Sequence, residues 1–132
     1  MNENSPAILI VDDEAIILMA LKQELMTQYG NRYLLETALN ARDANEVIEE
    51  LVQDGVKLIL VISDWLMPGM RGDDFLADVK SRHPNVRCII ISGQADPDAI
   101  ERARIRFQLD AYIKKPWTHR TLIDAVDLCL SA

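Results

Sequence analysis

Long apolar runs and basic residues are both scarce in this sequence. No apolar run approaches the about 20 residues that a membrane-spanning helix needs. The N-terminus, MNENSP, has neither a basic start nor a long apolar stretch, which argues against a secretory signal. The 21 acidic residues outnumber the 14 basic ones, and this net charge of −7 argues against a nucleic-acid-binding surface. We therefore expect a cytoplasmic domain that binds neither membranes nor nucleic acid directly.

Cysteine is also rare, and the remaining composition is that of a single globular domain. The two cysteines, Cys88 and Cys129, lie within apolar stretches. We expect them to be reduced core residues rather than a disulfide or a metal-binding pair. With 132 residues, 27% of them charged and 49% hydrophobic, the chain has the size and composition of one folded domain.

Apolar residues alternate between short blocks and segments of helical period. The blocks predict five strands, most of them covered on both faces as in a parallel sheet: Ile8–Val11, Tyr33–Ala38 (the weakest), Leu58–Ile62, Cys88–Ile91 and Ala111–Ile113. Between them, residues such as Ile17, Leu21 and Leu25 share one face of a helix. Candidate helix caps are Asn40, Asp96 and Thr118. Five strand–helix units predict a doubly wound α/β domain with helices on both faces of the sheet.

Polar residues follow four of the predicted strands at the point where each strand ends. They are Asp12, Asp13 and Glu14 after the first strand, Asp64 after the third, Ser92 after the fourth and Lys115 after the fifth. Ligands of open α/β sheets bind beyond the carboxyl ends of the strands. We therefore expect these side chains to meet at one edge of the sheet.

Most of these residues have a simpler explanation when each is taken alone. Asp12 or Asp13 could cap the first helix, and Ser92 could open an ordinary turn. Lys115 could be a solvated surface lysine. Asp64 is harder to explain in this way, because a carboxylate at the end of a central strand has no helix to cap. The coincidence at four strand ends favours a functional site.

The chemistry of this set predicts a phosphoryl-transfer site with a divalent cation. Three clustered carboxylates repel one another, and oxygen ligands suit Mg²⁺, with Mn²⁺ as an alternative. A lysine can neutralise phosphoryl oxygens, and a hydroxyl can donate a hydrogen bond to one of them. No histidine or cysteine is near, so the natural nucleophile is a carboxylate. Asp64, between the acidic pair and Ser92, is the candidate that would form an acyl phosphate.

Four segments, ILIVDDE, SDWLMPGMRG, IIISG and AYIKKPW, resemble in their order and spacing the receiver domain of two-component response regulators. This family includes the chemotaxis response regulator. The resemblance covers nearly the whole chain, with a core of about residues 7–130. It implies a flavodoxin-like fold, in which five helices flank a five-stranded parallel sheet of order 2-1-3-4-5.

The resemblance also implies the roles of individual residues. Asp64 matches the phosphoacceptor of the family. Asp12 and Asp13 match the acidic pair that holds Mg²⁺, together with Asp64 and the backbone carbonyl of Leu66. The site is thus expected to bind Mg²⁺ through carboxylate oxygens and one backbone oxygen.

A conformational switch is implied by the same comparison. Ser92 and Lys115 match residues that bind the phosphoryl group, and the Lys115–Pro116 bond matches a cis peptide. Ser92 is expected to move inward with the loop Gly93–Asp96. An exposed Tyr112 ring would then turn inward. This movement would change the surface formed by the fourth helix, the fifth strand and the fifth helix.

The function implied by the resemblance is a signalling switch. A sensor histidine kinase or a phosphotransfer protein would donate a phosphoryl group to Asp64, and the domain would catalyse only its own phosphorylation and dephosphorylation. One alternative is an Asp-nucleophile, Mg²⁺-dependent phosphatase of the haloacid-dehalogenase type. That family places its second aspartate two residues after the nucleophile, and this chain is short for a substrate-capping domain. Another alternative, a degenerate interaction module, would normally lack Asp64, an acidic residue or Lys115.

The organisation expected from the sequence is one receiver domain over residues 1–132, without an effector domain in this chain. Such a domain is either a stand-alone switch or the receiver part of a larger protein. The sequence specifies neither the cognate kinase nor the output.

Overall fold

A five-stranded parallel sheet forms the centre of the molecule, and a helix follows each strand. The structure is a computed structural model that describes residues 5–94 and 96–131. Its elements are β1 Ala7–Val11, α1 Ala15–Tyr29, β2 Leu34–Ala38, α2 Ala41–Gln53, β3 Leu58–Asp64, α3 Gly72–Arg82, β4 Arg87–Ser92, α4 Pro97–Phe107, β5 Ala111–Lys114 and α5 His119–Leu130. All neighbouring strands pair in parallel, in the order β2-β1-β3-β4-β5. The predicted doubly wound α/β fold and strand order are confirmed.

The strength of each apolar block reflects the position of its strand in the sheet. Every residue of the inner strand β1 is buried, whereas most of the edge strand β2 is only partly buried. An edge strand has a neighbour on one side only, so fewer of its side chains need to be apolar. This explains why the second block was the weakest sequence signal.

Two hydrophobic cores fill the spaces between the sheet and its helices. One lies under α2, α3 and α4, and includes Phe75 and Ile90. The other lies under α1 and α5, and includes Leu21 and Val126. Cys88 and Cys129 are free and buried, one in each core, as expected from their apolar surroundings. None of the helices described, over residues 5–94 and 96–131, has both the length and the apolar character needed to cross a membrane.

Side-chain caps begin three of the helices, as predicted. Asn40, Asp96 and Thr118 each accept a hydrogen bond from the backbone N–H three residues later. The first helix differs, because its N-cap position is Glu14, whose side chain makes no capping bond. Neither Asp12 nor Asp13 is therefore the N-cap residue of α1. Helix capping, the simpler explanation for this acidic pair, does not account for them.

The register of the sheet brings the predicted polar residues to one level. The relevant paired positions are Val11 with Ser63, Asp64 with Ile91, and Ser92 with Lys114. Asp12 and Lys115 each stand one residue beyond a paired position, while Asp64 and Ser92 are the last residues of their strands. The four side chains consequently project from the same carboxyl edge, where ligands of open α/β sheets bind.

Candidate functional site

Three aspartates form the acidic part of the site. Asp12, Asp13 and Asp64 each offer a carboxylate oxygen, and these oxygens all lie within 4.8 Å of one another. Asp12 is fully buried, Asp64 is 7% exposed, and Asp13 is exposed to solvent. Such an all-oxygen set with one solvent-facing member fits Mg²⁺, which keeps several of its own waters when a protein binds it. Leu66 follows Asp64 by two residues at the same edge of the sheet.

Lys115 provides the positive charge opposite the carboxylates. Its Nζ lies 2.8 Å from Asp12 Oδ2 and 3.3 Å from Asp64 Oδ2. Burial lowers the pKa of Lys115, but the hydrogen bond to Asp12 and the charges of Asp64 and Asp12 outweigh burial and raise that pKa overall. Lys115 is therefore a fixed ammonium group that connects two carboxylates. Its peptide bond to Pro116 is cis.

Asp64 stands at the C-terminal end of β3 with its two oxygens in different surroundings. Oδ1 accepts a hydrogen bond from the backbone N–H of Trp65 at 2.7 Å, while Oδ2 faces Lys115. Burial and the charge of Asp12 raise the pKa of Asp64, and the opposing effects of Lys115 and the Trp65 N–H do not cancel that rise. The carboxylate is thus buried, oriented and crowded by negative charge.

Ser92 and Tyr112 are already connected in this structure. Ser92 is 2% exposed, and its Oγ accepts a hydrogen bond from the backbone N–H of Gln94 at 3.1 Å, a contact that does not use the hydroxyl proton. The Tyr112 hydroxyl donates to the Ser92 carbonyl oxygen at 2.7 Å. The expectation of an exposed Tyr112 ring is therefore wrong, because this hydrogen bond holds the ring in a partly buried position. Ala95, in the loop Gly93–Asp96, lies outside the described residues.

Sequence reasoning missed the role of Gly72, the first residue of α3. Its N–H donates to the Trp65 carbonyl at 2.7 Å. A Cβ atom placed on Gly72 would lie 1.8 Å from the backbone oxygen of Asp64. The end of β3 and the start of α3 can approach this closely only because residue 72 has no side chain. A glycine eight residues after Asp64 was the only sequence signal.

Comparison with known proteins agrees with the fold. A family model described as the response regulator receiver domain matches residues 8–127. The chain belongs to this family. The resemblance expected from the four sequence segments is thereby confirmed, and the general role of the receiver domain is in two-component signalling.

The relatives differ greatly in how much of their length this receiver domain spans. It is 31% identical to the chemotaxis protein CheY of Thermotoga maritima, over 91% of this chain and 93% of that protein. It is 32% identical along its whole length to the hydrogenase transcriptional regulatory protein HoxA of Cupriavidus necator, but spans only 26% of HoxA. Among solved structures, the signal receiver domain of an HD domain-containing protein from Pseudomonas fluorescens has a TM-score of 0.84 and 29% identity, over 97% of this chain and 96% of that one.

The raised pKa of Asp64 predicts how this residue affects stability. The folded protein holds the Asp64 proton to a higher pH than the unfolded chain does, so ionisation of Asp64 lowers stability as the pH rises above its ordinary pKa of 3.8. In metal-free protein at pH about 7, we expect Asp64→Asn to raise the free energy of unfolding by about 1 kcal/mol, or the melting temperature by about 4 °C. The gain should shrink as the pH falls towards 3.8.

Thermal melts in chelator across this pH range measure the effect. Glu49→Gln is the matched control, since it removes one negative charge from an exposed position on α2. A variant Asp64→Asn that is less stable than the parent at neutral pH would contradict the prediction.

The close approach at Gly72 gives a second prediction. In Gly72→Ala the new methyl group would overlap the Asp64 carbonyl, so we expect a loss of about 1–3 kcal/mol or more in the free energy of unfolding. Denaturant unfolding measures the loss. The control is Gly93→Ala, whose Cβ would lie 3.7 Å from its nearest neighbour, the Lys115 carbonyl oxygen. Equal stability of the two variants would contradict the prediction, because it would show that the backbone near Gly72 shifts to accept a methyl group at little cost in free energy.

Proposed function

We propose that this receiver domain accepts a phosphoryl group onto Asp64 in a Mg²⁺-dependent reaction. The donor is the phosphohistidine of a sensor histidine kinase or of a phosphotransfer protein. The observation that carries the proposal is the position of Asp64, a nearly buried carboxylate at the end of a central strand, 3.3 Å from the ammonium of Lys115. Receiver domains act in two-component signalling, so the family supports the same reaction.

Each residue of the site has its own role in the proposed phosphoryl transfer. A carboxylate oxygen of Asp64 attacks phosphorus, the P–N bond to the donor imidazole breaks, and its electron pair returns to the imidazole nitrogen. Lys115 stabilises the phosphoryl oxygens, and Ser92 can donate its hydroxyl proton to one of them. Bound by Asp12, Asp13, Asp64 and the Leu66 carbonyl, Mg²⁺ would neutralise charge on the carboxylates and the phosphoryl group.

The domain acts on no other substrate in this proposal. It catalyses its own phosphorylation and, with water as the acceptor, its own dephosphorylation. We place it in the cytoplasm, with the signal passing to a partner protein or an output domain. Residues 1–132 form one receiver domain in this proposal, and no nucleic acid or membrane binds to it directly.

The switch begins at Ser92 and reaches Tyr112. Movement of Ser92 towards the phosphoryl group carries its backbone carbonyl, which is the acceptor for the Tyr112 hydroxyl. The same carbonyl also accepts from the Lys115 N–H at 3.1 Å, so one backbone group connects the phosphate-binding lysine, the serine and the tyrosine. Displacing it repositions the Tyr112 ring and the surface of α4, β5 and α5. Allosteric coupling of this kind is typically about 1–3 kcal/mol.

Phosphorylation itself is tested by intact mass. With acetyl phosphate and Mg²⁺, we expect the parent to gain one phosphoryl group and Asp64→Asn to gain none, because the nucleophilic oxygen is lost. Asp98→Asn, which changes an exposed aspartate on α4, should be labelled like the parent. Undiminished, Mg²⁺-dependent labelling of Asp64→Asn would reject Asp64 as the acceptor.

The metal site predicts a stabilising effect of Mg²⁺. A ligand that binds only the folded state raises the melting temperature by an amount that grows with its concentration relative to Kd. We expect Mg²⁺ to raise the melting temperature of the parent and to change Trp65 fluorescence, with Trp117 as background emission. Both effects should be weakened in Asp13→Asn, since one of the three carboxylates is removed. If Asp13→Asn binds Mg²⁺ like the parent, the cation lies elsewhere.

The switch predicts a separable defect in Ser92→Ala. Beryllofluoride with Mg²⁺ mimics a phosphoryl group, and we expect it to shift the amide NMR signals of Gly93, Gln94 and Tyr112 in the parent. Ser92→Ala should still accept a phosphoryl group, yet lose most of the shift at Tyr112, because the hydroxyl that pulls the carbonyl is absent. A full shift at Tyr112 in this variant would mean that Ser92 does not transmit the signal.

A further inference from the structure

Trp65 is hydrogen-bonded to the candidate acceptor and shares a core cluster with residues of α4. Its backbone N–H donates to Asp64 Oδ1 at 2.7 Å, and its carbonyl accepts from the N–H of Gly72 at 2.7 Å. Its side chain is 6% exposed and belongs to the core cluster that contains Ala103 and Phe107 of α4. A change in the carboxylate can therefore reach the packing of α4 through a single residue.

Arg71 holds the indole ring from the loop before α3. The guanidinium carbon lies 5.6 Å from the ring centroid, which is cation–π distance. The same guanidinium makes two hydrogen bonds to Asp73, from Nε at 3.1 Å and from Nη2 at 2.8 Å. This two-point contact with Asp73 fixes the orientation of the guanidinium over the ring. The Asp73 carboxylate thus orients the guanidinium that holds the Trp65 ring.

A small cavity beside the ring leaves room for a second indole position. It has a volume of about 140 Å³, and Trp65, Arg71, Ala99, Ala103 and Phe107 are among the residues that line it. Ala99 and Ala103 are one helical turn apart on α4, and their short side chains create this space. Exposed arginines of α4 also line this cavity, which is therefore partly open to solvent and leaves the ring space for a discrete change of packing.

We propose that Trp65 is a second switch element, which links Asp64 to α4 independently of Ser92 and Tyr112. The inference rests on the proposed phosphorylation of Asp64. When either oxygen bonds to phosphorus, the carboxylate loses its charge, and the Trp65 N–H loses a charged acceptor. Hydrogen bonds to charged groups are roughly twice as strong as neutral ones. The weakened bond frees the Trp65 peptide, and the indole moves into the cavity against Ala103 and Phe107.

The experiment uses beryllofluoride with Mg²⁺ as the phosphoryl mimic and NMR as the readout. The ¹⁹F signal of bound beryllofluoride reports occupancy of the site in every variant. Amide signals of Ala99, Ala103 and Phe107 report α4, and the amide signal of Tyr112 reports the other route. The variants are Ser92→Ala, Trp65→Leu and Arg71→Gln, with Arg82→Gln as the control for loss of a partly exposed arginine that ion-pairs within α3.

At full occupancy we expect the shifts of Ala99, Ala103 and Phe107, on the buried face of α4, to persist in Ser92→Ala and to be lost in Trp65→Leu. The amide signal of Tyr112 should still respond in Trp65→Leu. Arg71→Gln removes a surface side chain and leaves the core residues unchanged. Without beryllofluoride, it should already move the α4 signals towards their activated positions, because the contact that holds the resting ring is gone. Arg82→Gln should leave them at rest.

Two results would overturn the inference while leaving the proposed function intact. One is a parent-like α4 shift in Trp65→Leu together with resting α4 signals in Arg71→Gln. The other is loss of the α4 shift in Ser92→Ala at full occupancy, which would assign α4 to the Ser92 route. The absence of bound beryllofluoride in the parent would instead reject the proposed function, and this inference with it.

Discussion

The contact between Lys115 and the two buried aspartates is the interaction on which the rest of the site depends. Asp12 is fully buried and Asp64 nearly so, and buried carboxylates are costly unless a positive charge or hydrogen-bond donors lie close to them. Lys115 supplies that charge at 2.8 Å and 3.3 Å. The three aspartates carry three negative charges and Lys115 carries one positive charge, so the net charge of the site is −2. The folded site therefore retains an attraction for a divalent cation.

The two faces of the sheet hold their helices in different ways. On one face, Glu24 of α1 accepts hydrogen bonds from Trp117 and from His119 of α5, both at 2.9 Å. Tyr29 of α1 donates to Asp127 of α5 at 2.5 Å. On the other face, the described side-chain link between α3 and α4 is an exposed ion pair of Arg106 with Asp74, a kind of contact that contributes little. This weaker polar attachment of α4 is consistent with the proposal that α4 moves when Asp64 is phosphorylated.

The fold and the edge of the sheet that carries the site could be predicted from the sequence, because both follow from local patterns. Solid apolar blocks located the strands, and Asp64 and Lys115 each stand two residues beyond the end of a block. Contacts between distant segments could not be predicted in this way. The hydrogen bond from Tyr112 to the Ser92 carbonyl and the Arg71 contact with the Trp65 ring depend on side-chain directions that periodicity does not specify. The space at Gly72 depends on a distance between two backbones.

The contact at Gly72 also bears on how this loop could be reused in protein engineering. The backbone oxygen of Asp64 occupies the volume where a side chain at position 72 would begin, and the Gly72 N–H bonds to the Trp65 carbonyl. The segment from Asp64 to Gly72 is therefore one structural unit, whose two ends are joined by backbone contacts. A graft onto another α/β scaffold would have to carry all nine residues, from 64 to 72, and to keep the host helix at the same separation from the strand.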